Sequence, residues 1–271
     1  MKKFKVGLQL YSIRDKMEKD MDAALKAVKE MGYDYVEFAG YFEKSPKEVK
    51  EILDKYNLTA ISVHQSPGYF EEKGELAFEY IKELGVKYSA IPWYTVDEYF
   101  EDWDGTIKKF ESLGKALKDK GVQMLYHNHD FEFRKIGDET IIDKLYSTIS
   151  PDYLQPEFDT CWIHYAGNDP ADYLEKYTGR VDVLHLKDFE CEKLGGGPVY
   201  GLIGADEPTN KEDNGFRFMP IGKGRQNWDK ILKVAEKIGT EYVIVEQDEW
   251  YDGDSLDFAK QSREYLKEMG I

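Results

Sequence analysis

At 271 residues and 41% apolar content, the chain is long enough for one large α/β domain or two small ones. Its 53 acidic against 37 basic residues give a net charge of -16 and set nucleic acid aside, because a phosphate backbone is bound by Lys and Arg that release counterions. No apolar run approaches the roughly 20 residues of a membrane span, MKKFKVGLQLYSIRD turns polar too soon for a signal peptide, and Cys161 and Cys191 make no disulfide framework, so a cytoplasmic location with reduced thiols is expected.

In chain order, a first strand at 5–10 precedes a helix whose apolar residues Met21, Ala24, Leu25 and Val28 recur at i, i+3, i+4 and i+7. MGYDYVEF, from Met31, then reads as a helix end, a glycine, a polar turn and a strand at 35–38. Glycine just past a helix takes the left-handed conformation that closes its last carbonyls, and the Tyr/Val/Ile run after it suits a buried parallel strand. Ser45, Pro46 and Glu48 predict a capping box with proline at the first helical position, leading to a strand at 59–64. Ala77, Tyr80, Ile81 and Leu84 stripe the next helix, and LGVKYSAI repeats the glycine plan into a strand at 88–91. KGVQMLYH and TGRVDVLH follow it more loosely, giving strands at 122–127 and 181–187 with another at 153–158 between them, and Asp169 with Pro170 opens a helix. Ile231, Val234, Ala235 and Ile238 stripe the helix before IGTEYVIV and its strand at 242–246.

Eight strands alternating with helices, in a chain near the typical length of about 250 residues, predict an α/β fold, a single (β/α)8 TIM barrel over 1–271. An open doubly wound sheet is disfavoured because VGLQLYSIRD stands where a Gly-rich dinucleotide turn would follow the first strand. The 188–226 connection far exceeds the roughly 2 to 6 residues of a βα loop. Because it follows a strand, it is expected to rise over the active face as a lid or a homo-oligomer contact.

The catalytic groups of such a barrel come from the carboxyl ends of its strands. Polar residues gather there: Gln9 and Tyr11, Glu37, His64, His127 with His129, Asp159, His185 with Lys187 and Asp188, and Glu246 with Asp248. LYHNHDFEF, from Leu125, also holds Asp130 and Glu132, so it concentrates groups that bind a divalent metal or move protons near neutral pH. So many polar groups aimed at one axis are costly unless something satisfies them. One divalent metal would do so, with His127, Asp159, His185 and Glu246 as its ligands. Two nitrogens and two carboxylates suit Mn, Fe, Co, Ni or Zn more than Ca, with Mg kept among the options. Lys187 follows His185 by two in a strand and points the same way, which brings it to the site.

GLQLYSIRD at the first strand, EFDTCW at the sixth, HLKDF at the seventh and VEQDE at the eighth make the chain similar to the xylose-isomerase-like TIM barrel superfamily. That superfamily includes sugar phosphate isomerases and epimerases, inosose dehydratases and apurinic endonucleases. The resemblance covers nearly the whole chain, and the local wording is most similar to inosose dehydratase. It implies a metal held by Glu, Asp, His and Glu from strands five to eight, the last three falling on Asp159, His185 and Glu246. At the fifth strand the usual glutamate is His127, followed by the Asn128 that often follows it, so the ligand there is His127, His129 or Glu132. Trp162 stands where a second histidine often follows the aspartate by three, which removes a ligand of a multi-zinc endonuclease and agrees with the acidic charge.

The resemblance implies proton abstraction next to a carbonyl, through an enediolate that the metal stabilises. The leading expectation is therefore a metal-dependent sugar isomerase or epimerase with Glu246, His129, Glu132 and Lys187 as catalytic groups. Gln9, Glu37, His64, Trp93 and Trp162 are expected at the substrate, the two tryptophans stacking on a sugar face. The alternatives are a lyase or dehydratase of a keto-sugar or keto-inositol using the same metal site, and a non-catalytic sugar-binding subunit. The expected partner is a small sugar or keto-sugar, with neither nucleic acid nor membrane.

Overall fold

A computed structural model of the chain describes residues 4–95, 99, 101–195, 215–251 and 253–271. Eight parallel strands close into a barrel in the order β1-β8-β7-β6-β5-β4-β3-β2. They are β1 (Lys5–Gln9), β2 (Tyr35–Phe38), β3 (Thr59–His64), β4 (Tyr88–Ile91), β5 (Gln123–His127), β6 (Gln155–Asp159), β7 (Val183–Leu186) and β8 (Tyr242–Val245). Helices surround them, so the expected (β/α)8 barrel is the observed architecture.

The local signals act as the sequence predicts. Ser45 Oγ accepts from the Glu48 amide at 3.4 Å while the Glu48 carboxylate accepts from the Ser45 amide at 2.8 Å, closing the capping box of the helix Pro46–Tyr56. Gly32, Gly85 and Gly239 end their helices at φ of 92°, 65° and 100°, which a side chain would resist. Met21, Ala24, Leu25 and Val28 are all buried under the helix Met21–Met31, and each large apolar side chain buried this way contributes roughly 1.5–3 kcal/mol.

Several strand ends fall one or two residues from expectation, and two of these shifts have a visible cause. The stretch expected to be extended at 153–158 begins two residues late, because the amides of Tyr153 and Leu154 turn back to the Ser150 carbonyl at 2.8 and 3.0 Å. The seventh strand is cut short at Leu186, and Asp188–Glu190 leaves the barrel to pair antiparallel with Arg217–Met219. This ribbon anchors the two ends of the long excursion through Phe189, Phe216 and Phe218, which pack on Trp162 and Tyr165. The lid or oligomer contact expected of 188–226 falls largely on 196–214, outside the described residues.

Side-chain alternation sorts the barrel interior by height. Tyr35, Ile61, Tyr88, Leu125, Val183, Tyr242 and Ile244 form an apolar plug. Two residues further along their strands come Glu37, His127, His185 and Glu246, so the apolar floor gives way to polar groups at the carboxyl ends. Among the described residues, no helix is long and apolar enough to cross a membrane.

Candidate metal centre

Each polar group is placed by its own element. β6 and β7 pair Asp159 with His185, β5 and β6 pair His127 with Glu157, and β1 and β2 pair Gln9 with Glu37. Asp159 is also the N-cap of the helix Thr160–Tyr165. Its Oδ1 accepts from the amides of Cys161 at 2.7 Å and Trp162 at 3.2 Å, which leaves Oδ2 turned to the barrel axis. Asn128 Oδ1 accepts from the Asp159 amide at 3.0 Å and so ties the turn after β5 to the end of β6.

His127, Asp159, His185 and Glu246 come together as expected: one ligand atom from each, all buried, lies within 4.8 Å of the others. His127 Nε2 stands 3.8 Å from Asp159 Oδ2 and 3.9 Å from Glu246 Oε2. Those separations are too long for hydrogen bonds. They suit two ligands of one ion, which sit about 3 to 4 Å apart when each bond is about 2.0–2.2 Å. The donor set and the spacing about His127 therefore fit a divalent ion, while His185 Nδ1 and Glu246 Oε2 stand at hydrogen-bond distance, 2.8 Å apart. The Lys187 ammonium closes the outer side, at 3.0 Å from Asp159 Oδ2, 2.9 Å from Glu246 Oε2 and 2.8 Å from Asp248 Oδ2.

Below this set lies a second polar layer. His185 spans the two, with Nδ1 2.8 Å from Glu246 Oε2 and Nε2 2.8 Å from Glu37 Oε1. Gln9 Nε2 donates to the same Glu37 oxygen at 2.7 Å, and His64 Nε2 lies 2.9 Å from it and 2.8 Å from Glu157 Oε2. Glu157 is also 3.5 Å from His127 Nδ1 and from His185 Nε2. His64, His127, Glu157 and His185 thus form a second cluster with metal-ligand spacing.

Burial and charge set the protonation states. Burial opposes ionisation of Glu246 and Glu37, yet Lys187 with His185, and His64 with His185, hold these carboxyls far below the usual range. Burial, with the Asp130 charge adding to it, pushes Glu132 up to about 8, and burial together with Glu37 pushes Glu157 up to about 7. Burial would discharge His64, but Glu37 and Glu157 hold it up to about 10. His127 and His129 are driven well down by burial, reinforced by the neighbouring cations, and are neutral imidazoles at pH 7. Burial works against the Lys187 charge too, but Asp159, Asp248 and Glu246 keep it an ammonium.

A cavity of about 400 Å³ opens above the cluster, within the range that holds small ligands. His64, His127, His129, Lys187, Glu246 and Trp93 line it, with Tyr11 and Asp248 at the same opening. Trp93 stands edge-on to His129, ring centres 4.6 Å apart. Three residues expected at the substrate lie elsewhere. Gln9 and Glu37 are wholly buried in the lower layer, and Trp162 sits behind His129 in the aromatic cluster that anchors the ribbon. Glu132 also faces away from the cavity lining: its two oxygens accept from the Tyr126 hydroxyl at 2.6 Å and the His129 amide at 2.8 Å. Glu157 escaped the sequence reading, although it precedes Asp159 by two in one strand and alternation puts both on the same face.

The comparisons agree with this architecture. The model of the xylose isomerase-like TIM barrel family matches residues 25–269. Inosose dehydratase of Clostridium beijerinckii (strain ATCC 51743 / NCIMB 8052) is 27% identical over 90% of this chain and 88% of its own length; that of Mesomycoplasma hyopneumoniae (strain 7448) is 24% identical over 92% and 88%. A sugar phosphate isomerase/epimerase from Parabacteroides distasonis superposes with a TM-score of 0.77 at 23% identity, covering 97% of this chain and 93% of that one. The IOLI protein with a binding zinc atom superposes at 0.71 and 15%, covering 97% of both chains. With a closed eight-stranded barrel, polar groups at its strand ends and a family match over nearly its whole length, this chain belongs to the xylose isomerase-like TIM barrel family.

Proposed function

We propose that this protein is a divalent-metal-dependent isomerase or epimerase of a small sugar, working by removal of a proton beside a carbonyl. The observation that carries the reading is the buried set His127, Asp159, His185 and Glu246 at the floor of a sugar-sized cavity. Zinc in the superposed IOLI protein supports a metal here as well. A bound divalent ion would supply Lewis acidity to a carbonyl and its neighbouring hydroxyl. Glu246 is ionised and lines the cavity, the state and place a base needs. His129, neutral and reaching in from beyond β5, takes or returns a proton on another side of the substrate. Lys187 offers its ammonium to a substrate oxygen, and Trp93 gives the apolar face of a sugar a wall. Glu132 supports His129 from behind rather than meeting the substrate.

A second reading, a lyase of a keto-sugar or keto-inositol, is favoured by one specific observation. Both an imidazole and an ammonium line the cavity beside the proposed base, so a proton can follow a leaving group out. The dehydratase names of the relatives support it too.

The test is incubation of Mn²⁺- or Co²⁺-loaded protein with ketoses and 3-keto-sugars in D2O. Deuterium should enter at a carbon next to the carbonyl, and Glu246→Gln should slow that exchange by roughly 10²–10⁴-fold while retaining part of its metal. Undiminished exchange in the variant rejects the mechanism. A product of unchanged mass apart from the deuterium means isomerase or epimerase, and loss of water or an alcohol means lyase.

A further inference from the structure

We infer that Glu37 is a positioning residue for the metal ligand His185, choosing which ring nitrogen faces the ion, and that Gln9 holds Glu37 in place. The inference rests on the metal site proposed above. A neutral imidazole carries one proton, so a ring that ligates through one nitrogen must place that proton on the other. In His185, Nδ1 lies beside Glu246 Oε2 within the candidate ligand set, while Nε2 points down to Glu37 Oε1 at 2.8 Å. Both nitrogens face a carboxylate at 2.8 Å, but only Glu246 belongs to the candidate ligand set, so an ion held there would take the Nδ1 side and Glu37 would keep the ring proton on Nε2.

Glu37 is built for this task. It is fully buried beneath the ring and lines no part of the cavity. Its Oε1 gathers three nitrogens, from Gln9 at 2.7 Å, His185 at 2.8 Å and His64 at 2.9 Å. Gln9 is pinned in turn, its own Oε1 accepting from the Tyr11 amide at 3.0 Å. A chain of contacts therefore runs from the turn after β1, through β2, to the ligand on β7. It explains why β1 and β2, which supply none of the four ligands, end in a buried amide and a buried carboxylate.

Cobalt or zinc titration of the intact protein against a competing chelator tests the inference. Wild-type protein should bind one ion per chain. Glu37→Leu should bind it about 10- to 100-fold more weakly, as loss of a carboxylate behind a ligating histidine does, with Glu37→Asp recovering part of the loss. A second measurement needs no variant: nitrogen NMR of the zinc-loaded protein should find His185 protonated at Nε2 and metal-bound at Nδ1. The reverse tautomer overturns the inference, as does a second ion held by Nε2. If wild-type protein binds an ion and Glu37→Leu, folded by circular dichroism, binds it equally well, the positioning role fails while the metal site stands. If wild-type protein binds no divalent ion, both fall.

Discussion

Single side chains here carry two tasks at once, and that decides how they behave. Asp159 caps a helix with one oxygen and faces the axis with the other; His185 joins two polar layers through its two nitrogens. Glu132 does one task in a place that costs it its charge. Burial raises its carboxyl from the ordinary 4.5 to about 8, so between those values the folded protein holds a proton that the unfolded chain has released. Its contribution therefore makes stability fall as pH rises through that window, and level off above about 8. A glutamine matches the protonated acid in size and charge and can still accept from the His129 amide. Glu132→Gln should accordingly flatten the decline of the thermal midpoint with pH. An unchanged slope would show that Glu132 is ionised across the window.

At the scale of elements, the site depends on strands meeting in one register. Gly7 lets this happen inside the barrel: a Cβ there would stand 2.7 Å from Ile244 Cδ1 and 3.3 Å from the Tyr35 carbonyl oxygen. Gly7→Ala should cost about 1–3 kcal/mol by overpacking. Adding Ile244→Val removes the Cδ1 atom, so urea unfolding of the double variant should show a smaller loss than the two single losses added together. Strict additivity would mean that the clash is relieved elsewhere. The elements themselves were largely legible, because glycine closures, the Ser45–Glu48 box and the i, i+3, i+4 stripes are short-range signals. The ribbon of Asp188–Glu190 with Arg217–Met219 was not, since its partners are far apart in the chain and no local pattern joins them.

On the scale of the whole molecule, the four candidate ligands come from β5, β6, β7 and β8 and the turn beyond, so an ion would tie half the barrel together at its carboxyl end. Unfolding scatters that set, and binding to the folded state alone stabilises by mass action, about 2.7 kcal/mol at a free ion concentration one hundred times Kd. The thermal midpoint should rise with added Co²⁺ or Zn²⁺, and Asp159→Asn should remove most of the rise. A midpoint indifferent to metal in the wild type would count against the centre.

The sequence by itself determined the barrel, its eight strands and three of the four residues whose donor atoms converge, leaving the fifth-strand residue open among His127, His129 and Glu132, because strand alternation and strand ends are written locally and the fold's polarity does the rest. Only the tertiary structure decided which polar strand-end residues face the cavity and which lie beneath it. Gln9, Glu37 and Glu157 share the periodicity of His127 and Glu246, yet barrel height and strand stagger put the first three under the candidate metal and the last two at the cavity. Trp93 and Trp162 looked alike as sugar-stacking rings, and packing separated them, one into the cavity wall and one into the aromatic cluster behind His129. Position along the barrel axis is a sum over neighbouring strands, and no single stretch of chain carries it.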